Sequence, residues 1–490
     1  MSPQTPQAAD IVRVLPEILW CAFGVFLMLL QPFVKNRQVL TLFAMFGAAL
    51  GTLSTFFGQM GSGFFGLIQF DTFSLFFHWL LGLVAFLVIL AADSYLEREG
   101  LDAAEFYALI LFATAGMGVL ASAQELLTAF IGLEMSSISS YILAGYRRDS
   151  VKSSESSIKY FLLGSFATAF FLYGIALVFG ATKSTNLVEI ANADPSSNLL
   201  RLGLALILVG LGFKVAAAPF QVWTPDVYEG APTPVTALFS AGPKAATFAL
   251  LLRIFTTIHA ATDFWFWAFW ILAVATMFVG NLGALVQTNV KRMLAYSSIA
   301  HAGYTLVAFA AVTSLKADPE NGPWPAYAAV LFYLLSYALV KVGAFTIVSE
   351  IGGQGERHLT LEDFAGLGTR QPFAAAAMSV FLLSLLGLPI TAGFFGKFYV
   401  FKAAINAKLI WLAVLMTVNS VIGAYYYLRL IVVMYMREHK GDIPADSARS
   451  LSPTAAMVVI VAVAATLLLG LLPNHILGIV LSHDLLLSAR

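Results

Sequence analysis

Residues 208–234 read LVGLGFKVAAAPFQVWTPDVYEGAPTP, and this stretch decides what kind of fold the chain adopts. Lys214 stands in the middle of an apolar run, and four prolines follow before the chain becomes apolar again. Apolar runs of about 20 residues, which is long enough to cross a bilayer, recur along almost the whole chain. Because a backbone in lipid must satisfy its own hydrogen bonds, these runs are predicted to be helices.

The composition also indicates an all-α polytopic membrane protein. The chain has 490 residues, of which 59% are hydrophobic and 11% are charged, whereas about 25% are charged in soluble proteins. The single cysteine, Cys21, excludes a disulfide framework and a cysteine-ligated iron–sulfur cluster, so it is expected to pack as a small apolar residue. A net charge of zero and the lack of nucleotide-binding and zinc motifs argue against a nucleic-acid partner, nucleotide hydrolysis or a redox centre in this chain.

About fourteen membrane spans are predicted, and two of them, the seventh (201–222) and the twelfth (372–404), contain prolines. A straight helix over the 33 residues of the twelfth span would be about 50 Å long, which exceeds the roughly 30 Å of hydrocarbon. A break near Pro389–Gly393 removes the excess and places Lys397 shortly beyond it. Prolines that only kink the helices for packing are the alternative.

Lysine and arginine are unevenly distributed between the loops on the two sides of the predicted bundle. Loops that follow odd-numbered spans carry 14 of them, and the opposite side carries 8. Because basic loops stay in the cytoplasm, both termini are predicted to lie on the periplasmic side of a bacterial inner membrane. An organellar inner membrane is also compatible with this pattern.

Short similarities indicate an internal repeat. SSISSYILAGY (136–146) is similar to SSIAHAGYTLV (297–307), and LLRIF (251–255) is similar to YLRLI (427–431). These spacings predict two units of five spans, and an odd number of spans requires the second unit to be inverted, as in secondary transporters. The predicted segments are an N-terminal three-helix segment (1–100), a first repeat of spans four to eight (101–258), a second repeat of spans nine to thirteen (259–437) and a C-terminal helix (438–490).

Few ionisable side chains lie at membrane depth. They are Glu134, Lys214, Lys244, His301, Lys341 and Lys397, together with His78. A lysine at the centre of a span costs about 2.5–3.5 kcal/mol, so four lysines cost roughly 10–14 kcal/mol. This cost favours a function for them, the holding and passing of protons, over satisfied buried charges. His301 is also compatible with a neutral, hydrogen-bonded core histidine, and His78 is more typical of a structural residue.

Glu134 and Lys214 are predicted to act as a switch. Burial disfavours the charged form of a lysine, and a nearby carboxylate favours it. Lys214 would therefore keep its proton while it is paired with Glu134 and release it when the pair separates. The serines of 136–146 and 297–307, with Tyr304, are candidates for holding water between such groups. The alternative is that these serines only allow close packing of helices.

Together these residues resemble a known family, the antiporter-like subunits of respiratory complex I and of Mrp-type cation/proton antiporters. The family has fourteen helices, inverted five-helix repeats, broken helices seven and twelve, a glutamate in helix five and lysines in helices seven, eight and twelve. The matching positions here are Glu134, Lys214, Lys244 and Lys397, with less specific matches at His301 and Lys341. The resemblance covers nearly the whole chain, and TPDVYEGAPTPVTALFSAGPK (224–244) most resembles one of the complex I subunits.

The resemblance implies a proton-translocating subunit of complex I, the proton-pumping NADH:quinone oxidoreductase. NADH oxidation and quinone reduction would take place in partner subunits, which would hold FMN, the iron–sulfur clusters and quinone, while this chain would hold no cofactor. The implied partners are neighbouring antiporter-like subunits, small membrane subunits and the lipid bilayer.

Three other functions remain open on sequence alone. A subunit of an Mrp-type sodium/proton antiporter would share Glu134 and Lys214 but would depend on sodium, for which no dedicated site is evident. A purely scaffolding chain would leave four buried lysines without a function. A stand-alone transporter of amino acids or drugs would need a substrate pocket, whereas these spans offer only small polar groups.

Overall fold

The structure is a computed structural model, and it describes residues 6–194, 196–258, 262–314, 324–438 and 450–473. This part of the chain is almost entirely helical, apart from one antiparallel hairpin of two short strands. The strands are β1 (Gly61–Gly63) and β2 (Ile68–Phe70). The helices are α1 (Ala8–Arg13), α2 (Leu15–Leu30), α3 (Arg37–Ser54), α4 (Thr72–Glu99), α5 (Ala103–Ser122), α6 (Leu126–Ala144), α7 (Val151–Thr182), α8 (Leu187–Ala191), α9 (Asn198–Val215), α10 (Thr224–Gly230), α11 (Thr233–Thr257), α12 (Thr262–Leu285), α13 (Val290–Val312), α14 (Trp324–Gly352), α15 (Leu367–Arg370), α16 (Pro372–Leu386), α17 (Ala392–Asn406), α18 (Ile410–Met436) and α19 (Pro453–Leu471).

Polar residues and glycines set the ends of the long helices. The side chain of Asp71 accepts a hydrogen bond of 2.7 Å from the backbone N–H of Ser74 at the start of α4. Asn289 does the same for the N–H of Arg292 at the start of α13, at 3.0 Å. Helix α4 ends at Glu99 and is followed by Gly100, whose φ of 66° is the left-handed conformation that glycine adopts without strain. These caps satisfy backbone groups that the helices themselves leave free.

The prediction of an all-α polytopic membrane protein is confirmed. In the described part of the chain, twelve helical stretches are long and apolar enough to cross a membrane, and the span Asn198–Gly230 joins α9 and α10. Helices α2 and α16 are apolar but shorter, at 16 and 15 residues, which corresponds to about 24 and 22 Å. Length and composition therefore establish twelve spans, and the total of fourteen stays a prediction.

The predicted break in the seventh span is present. Helix α9 ends at Val215, Ala216 has a φ of 62°, and α10 begins only at Thr224. Neighbouring groups satisfy the backbone that the break releases. The N–H of Ala218 donates to the hydroxyl of Thr276 at 2.9 Å, and the indole N–H of Trp223 donates to the carbonyl oxygen of Phe213 at 2.9 Å. Such interruptions persist at membrane depth only where protein or water supplies these partners.

The predicted break in the twelfth span is also present, and it begins slightly before Pro389. Helix α16 ends at Leu386, Gly387 has a φ of 94°, and α17 starts at Ala392. The two halves pack so closely that a Cβ on Gly393 would lie 1.9 Å from the carbonyl oxygen of Ser384. Lys397 is the sixth residue of α17, shortly beyond the break as expected.

Equivalent helix pairs of the two proposed repeats make similar contacts. Helix α5 packs on α6 as α12 packs on α13, and α5 contacts α11 as α12 contacts α18. The exact division into two inverted units stays a prediction. Most of the predicted C-terminal segment 438–490 lies outside the described residues, except for α19, which packs against α14, α4 and α17.

Candidate functional site

Lys214 lies in the last turn of α9, directly before the break in the seventh span. Its side chain is buried, at 6% exposure. The amino group donates hydrogen bonds to the hydroxyls of Ser137 at 2.7 Å and Tyr141 at 3.2 Å, both on α6. Lys214 thus has polar neighbours, as the sequence predicted, but α6 supplies them rather than the broken helix itself.

Glu134 and Lys214 do not form the predicted ion pair in this structure. The carboxylate of Glu134 instead accepts a hydrogen bond of 2.9 Å from the hydroxyl of Thr168 on α7. Ser137, the partner of Lys214, lies three residues further along α6 than Glu134, which is a rise of about 4.5 Å. The two groups of the predicted switch are therefore not paired in this structure, although Glu134 and the serine that holds Lys214 are about one helical turn apart on α6.

Lys244 lies in α11 directly after Pro243 and is 3% exposed. Its amino group donates to Ser298 on α13, at 2.5 Å to the hydroxyl and 3.0 Å to the backbone oxygen. The hydroxyl of Tyr337 on α14 donates to the same serine hydroxyl at 2.7 Å. Three helices therefore meet at Ser298, which lies in the 297–307 stretch that is similar in sequence to 136–146.

Aromatic rings lie beside both Lys214 and Lys244. Tyr160 stacks on Trp223 with ring centroids 4.6 Å apart, and the amino group of Lys214 lies 5.5 Å from the ring centre of Tyr160. On the other side, the amino group of Lys244 lies 5.8 Å from the ring centre of Tyr228. Trp223 and Tyr228 both lie in the stretch between the break and α11, so the broken helix contributes two of these three rings, and α7 contributes Tyr160.

Lys341 and His301 belong to one continuous hydrogen-bonded network. The amino group of Lys341 donates to the backbone oxygen of Leu294 at 2.8 Å and to the hydroxyl of Ser297 at 3.0 Å. The hydroxyl of Tyr427 on α18 lies 2.6 Å from that of Ser297 and 3.1 Å from Nε2 of His301. The second ring nitrogen of His301 lies 2.6 Å from the hydroxyl of Tyr333. The sequence suggested both groups as the middle of a chain, and the geometry joins them through Tyr427.

Lys397 uses the backbone that the second break releases. Its amino group donates to the carbonyl oxygen of Leu386, the last residue of α16, at 3.0 Å and to the hydroxyl of Ser420 at 2.8 Å. It also lies 4.7 Å from the ring centre of Tyr304.

A small cavity lies between His301 and the break in the twelfth span. Its volume of about 10 Å³ is close to what one water molecule requires. The lining residues include His301, Tyr333, Ser336, Tyr337, Ser384 and Gly393. The cavity therefore extends the polar row from His301 towards the helix that carries Lys397.

Sequence reasoning did not find the tyrosines of this row. Tyr333, Tyr337 and Lys341 recur every four residues and so lie on one face of α14. That spacing was a readable signal, because it places three polar tips on one side of an otherwise apolar helix. Tyr427 carried no comparable signal, since its role depends on contacts with α13 that only the fold creates.

A polytopic helical bundle, with two broken helices beside a row of buried lysines, is the architecture of membrane transport proteins. Residues 123–423 match the family model described as NADH:quinone oxidoreductase/Mrp antiporter, transmembrane. This match spans more than half of the chain.

Curated relatives agree with the family match over almost the whole length. NADH-quinone oxidoreductase subunit N 1 of Solibacter usitatus is 48% identical over 480 residues, which is 96% of each chain. NADH-quinone oxidoreductase subunit N 2 of Koribacter versatilis is 48% identical over 486 residues, again 96% of each chain. The chain therefore belongs to the NADH:quinone oxidoreductase/Mrp antiporter family, and within it to the subunit N branch. Subunit N is also the complex I subunit that residues 224–244 resemble.

Solved structures share the fold. A chain of respiratory complex I from Thermus thermophilus, with bound aureothin, is 38% identical with a TM-score of 0.79, and the match covers 94% of this chain and 98% of that one. A chain of the Mrp complex from Dietzia is 21% identical with a TM-score of 0.82, covering 98% and 96%. At that identity the second similarity shows the fold alone.

Proposed function

We propose that this chain is a proton-translocating, antiporter-like membrane subunit of a bacterial NADH-quinone oxidoreductase. Oxidoreduction in partner subunits drives protons along Glu134, Lys214, Lys244, Lys341, His301 and Lys397. The names of the curated relatives support the complex, and the hydrogen bonds of the buried lysines support the role of these residues.

The observation that carries the proposal is the number of partners that each buried lysine has. Lys214, Lys244, Lys341 and Lys397 each donate two hydrogen bonds, all to hydroxyl or carbonyl oxygens. A neutral amine has two N–H groups, and an ammonium has three. Each lysine therefore keeps both hydrogen bonds when it loses a proton. In the described part of the chain the third N–H of each ammonium has no fixed acceptor, and this is the proton that moves.

The charges around the four lysines fit the same role. Among the described residues, none of these lysines has a carboxylate oxygen within 4.0 Å. A permanent ion pair would hold the lysine in its charged form, whereas neutral dipoles allow both forms. Glu134, one turn from the partner of Lys214, is placed to bias Lys214 when the two approach each other.

The route from Lys244 onwards follows adjacent hydrogen bonds. Ser298 holds Lys244 and its neighbour Ser297 holds Lys341. Tyr427 then connects Ser297 to His301, whose two ring nitrogens allow a proton to arrive on one and leave from the other. The cavity beside His301 provides room for a water molecule in the direction of Lys397.

The step from Lys214 to Lys244 requires a movement. The two amino groups have separate hydrogen-bond partners, Ser137 and Tyr141 for Lys214 and Ser298 for Lys244, and the stacked rings of Tyr160 and Trp223 lie beside Lys214. Trp223 and Tyr228 lie on the part of the seventh span that follows the break, so a shift of α10 would admit water between the lysines. We infer that this half-helix gates the first transfer.

The assembly and orientation are also part of the proposal. FMN, the iron–sulfur clusters and quinone belong to partner subunits, and neighbouring membrane subunits of the complex surround this chain. Both termini lie on the periplasmic side of the inner membrane. The segments are 1–100, the inverted repeats 101–258 and 259–437, and 438–490.

Replacing Lys214 with methionine tests the proposal, with Arg201→Met on the exposed face of the same helix as control. Membranes from the host are assayed for NADH oxidation with quinone, for NADH oxidation with a hydrophilic artificial acceptor, and for proton translocation. The proposal predicts that quinone-linked oxidation and translocation fall in Lys214→Met, while the artificial reaction persists and Arg201→Met behaves as wild type. Intact NADH oxidation with loss of sodium-driven proton exchange would instead identify an Mrp-type antiporter subunit.

A further inference from the structure

A second group of buried ionisable residues lies away from the row of lysines, where a side chain of α2 contacts a side chain of α4. Glu17, in the first turn of α2, is 6% exposed, and His78 of α4 is completely buried. Nε2 of His78 lies 2.7 Å from Oε1 of Glu17, and Nδ1 lies 2.6 Å from the backbone oxygen of Ser74. Both nitrogens of the ring are therefore in short hydrogen bonds.

These two hydrogen bonds fix the number of protons that the pair holds. A backbone carbonyl oxygen only accepts, so Nδ1 must carry a proton. The contact between Nε2 and Oε1 then needs one more proton, either on the imidazolium or on the carboxyl group of Glu17. Without that proton, two lone pairs would face each other at 2.7 Å. The pair therefore holds one shared proton, which lies on either partner.

One oxygen of this pair remains unused. Oε2 of Glu17 is buried and has no hydrogen-bond partner among the described residues. A buried carboxylate oxygen without a hydrogen-bond partner lowers the stability of the fold, so its presence calls for an explanation. It offers a lone pair at which a proton, or a water molecule that carries one, can bind.

The surroundings include few other ionisable groups. Asp71, which caps the start of α4 seven residues before His78, is ion-paired with Arg253 of α11 at 2.9 Å. On α2, Cys21 lies one turn beyond Glu17. The ring of His78 stacks on Trp20 with centroids 6.0 Å apart. Helix α3 contributes the backbone oxygen of Ala48, which accepts from the Trp20 indole, and α5 approaches Glu17 through Gly118.

We propose that Glu17 and His78 form a second proton-binding site, separate from the row of lysines, that exchanges a proton with one membrane surface. Glu17 is the third residue of α2 and His78 the seventh of α4, which places them within about 10 Å of the starts of these helices. Both helices start on the same predicted side of the membrane. Loading adds a second proton from that surface at Oε2, which leaves the carboxyl group of Glu17 neutral and the shared proton on Nε2 of His78, and emptying returns the second proton to the same surface.

Glu17→Gln separates this role from a structural one. The amide of glutamine can donate to Nε2 while Nδ1 keeps its bond to Ser74, so the contact between α2 and α4 is retained and the exchangeable proton is lost. His78→Gln is the second variant, and Glu189→Gln, at an exposed carboxylate, is the control. NADH oxidation with the artificial acceptor confirms assembly of each variant complex.

The measurement is the infrared pH-difference spectrum of the purified complex in the carbonyl-stretch region of protonated carboxylic acids. The proposal predicts that Glu17→Gln removes the signal of one carboxyl group per complex, that His78→Gln moves that signal to a different pH, and that Glu189→Gln leaves it in place. Spectra of Glu17→Gln and His78→Gln that coincide with the wild type would overturn the proposal and leave the pair as a structural contact. Because the readout is independent of pumping, it is also independent of the role proposed for the lysines.

Discussion

The buried ion pair of Lys291 and Glu356, which lies next to the end of the broken seventh span, tests how the two proposed repeats are held together. Lys291, the second residue of α13, is completely buried, and its amino group contacts the carboxylate of Glu356 at 2.7 Å and the backbone oxygen of Ala231 at 2.5 Å. The other oxygen of Glu356 accepts from both the N–H and the hydroxyl of Thr233, each at 2.7 Å. This pair therefore fastens the second proposed repeat to the link between α10 and α11.

Replacing Glu356 with glutamine should cost about 3–5 kcal/mol, because breaking a buried pair leaves an uncompensated charge. The amide group of glutamine would turn a donor towards either Lys291 or Thr233. Lys291→Met should cost about 1–3 kcal/mol, since the carboxylate retains Thr233 as a partner. The double variant should be more stable than the sum of the two losses predicts, with a coupling of up to about 3 kcal/mol.

The assay is the loss of NADH:quinone activity of the purified complex with increasing urea, compared between the two single variants and the double variant. The control is Lys152→Met, which breaks an ion pair with Glu229 at the surface. The Lys152 side chain is 71% exposed, so losing this pair should cost no more than about 1 kcal/mol of stability. Two results would refute the buried pair as the contact that holds the halves together: a loss of stability in the double variant equal to the sum of the two single losses, or a urea midpoint of Glu356→Gln equal to that of the wild type.

Three further predictions follow from the described contacts. Tyr427→Phe removes the hydroxyl between Ser297 and His301. Quinone-linked proton translocation should fall about tenfold, the effect of losing a hydrogen bond worth about 1.4 kcal/mol. Unchanged translocation in vesicles would contradict the route. Gly393→Ala should lower the thermal stability of the complex by about 1–3 kcal/mol because its Cβ would meet a backbone oxygen at 1.9 Å, whereas Gly180→Ala, whose Cβ would lie 3.5 Å from a leucine side chain, should be neutral. Burial alone would raise the pKa of Glu356, but Lys291 and Thr233 outweigh it and hold that pKa below its usual value. The carboxylate therefore stabilises the fold above its unfolded pKa of about 4.3 and loses this effect as the pH falls through the lower folded value, so the stability difference between wild type and Glu356→Gln should be constant near neutral pH and should shrink only in acid.

The sequence predicted the membrane fold and the positions of both breaks because lipid leaves the chain few alternatives. An unbroken helix of 33 residues is too long for a bilayer, and Pro389 with Gly387 and Gly393 marks the position of the break. A lysine such as Lys244, far from either end of its span, likewise has no route to water. These inferences needed only spacing and the cost of burial.

Which side chains contact each other across neighbouring helices could not be predicted from the sequence. The distance between Glu134 and Lys214 depends on the rotation of α6 and on the competing hydroxyls of Thr168 and Ser137, so the predicted pair was not found in contact. Tyr427 is indistinguishable in sequence from the other aromatic residues of an apolar chain. Lys291 was counted among the loop charges that set the orientation, yet the structure buries it against Glu356, because a distant loop folds over the start of α13.

The central claim, that buried lysines carry protons through the membrane, is tested most directly at Lys244. The complex with Lys244→Met is purified, reconstituted into liposomes and compared with Lys402→Met, which removes an exposed lysine of α17. Proton uptake into the liposomes is measured on addition of NADH and quinone, alongside NADH oxidation with the artificial acceptor. We predict that Lys244→Met loses most of its proton translocation while the artificial reaction is retained, and that Lys402→Met matches wild type. Full translocation by Lys244→Met would contradict the account.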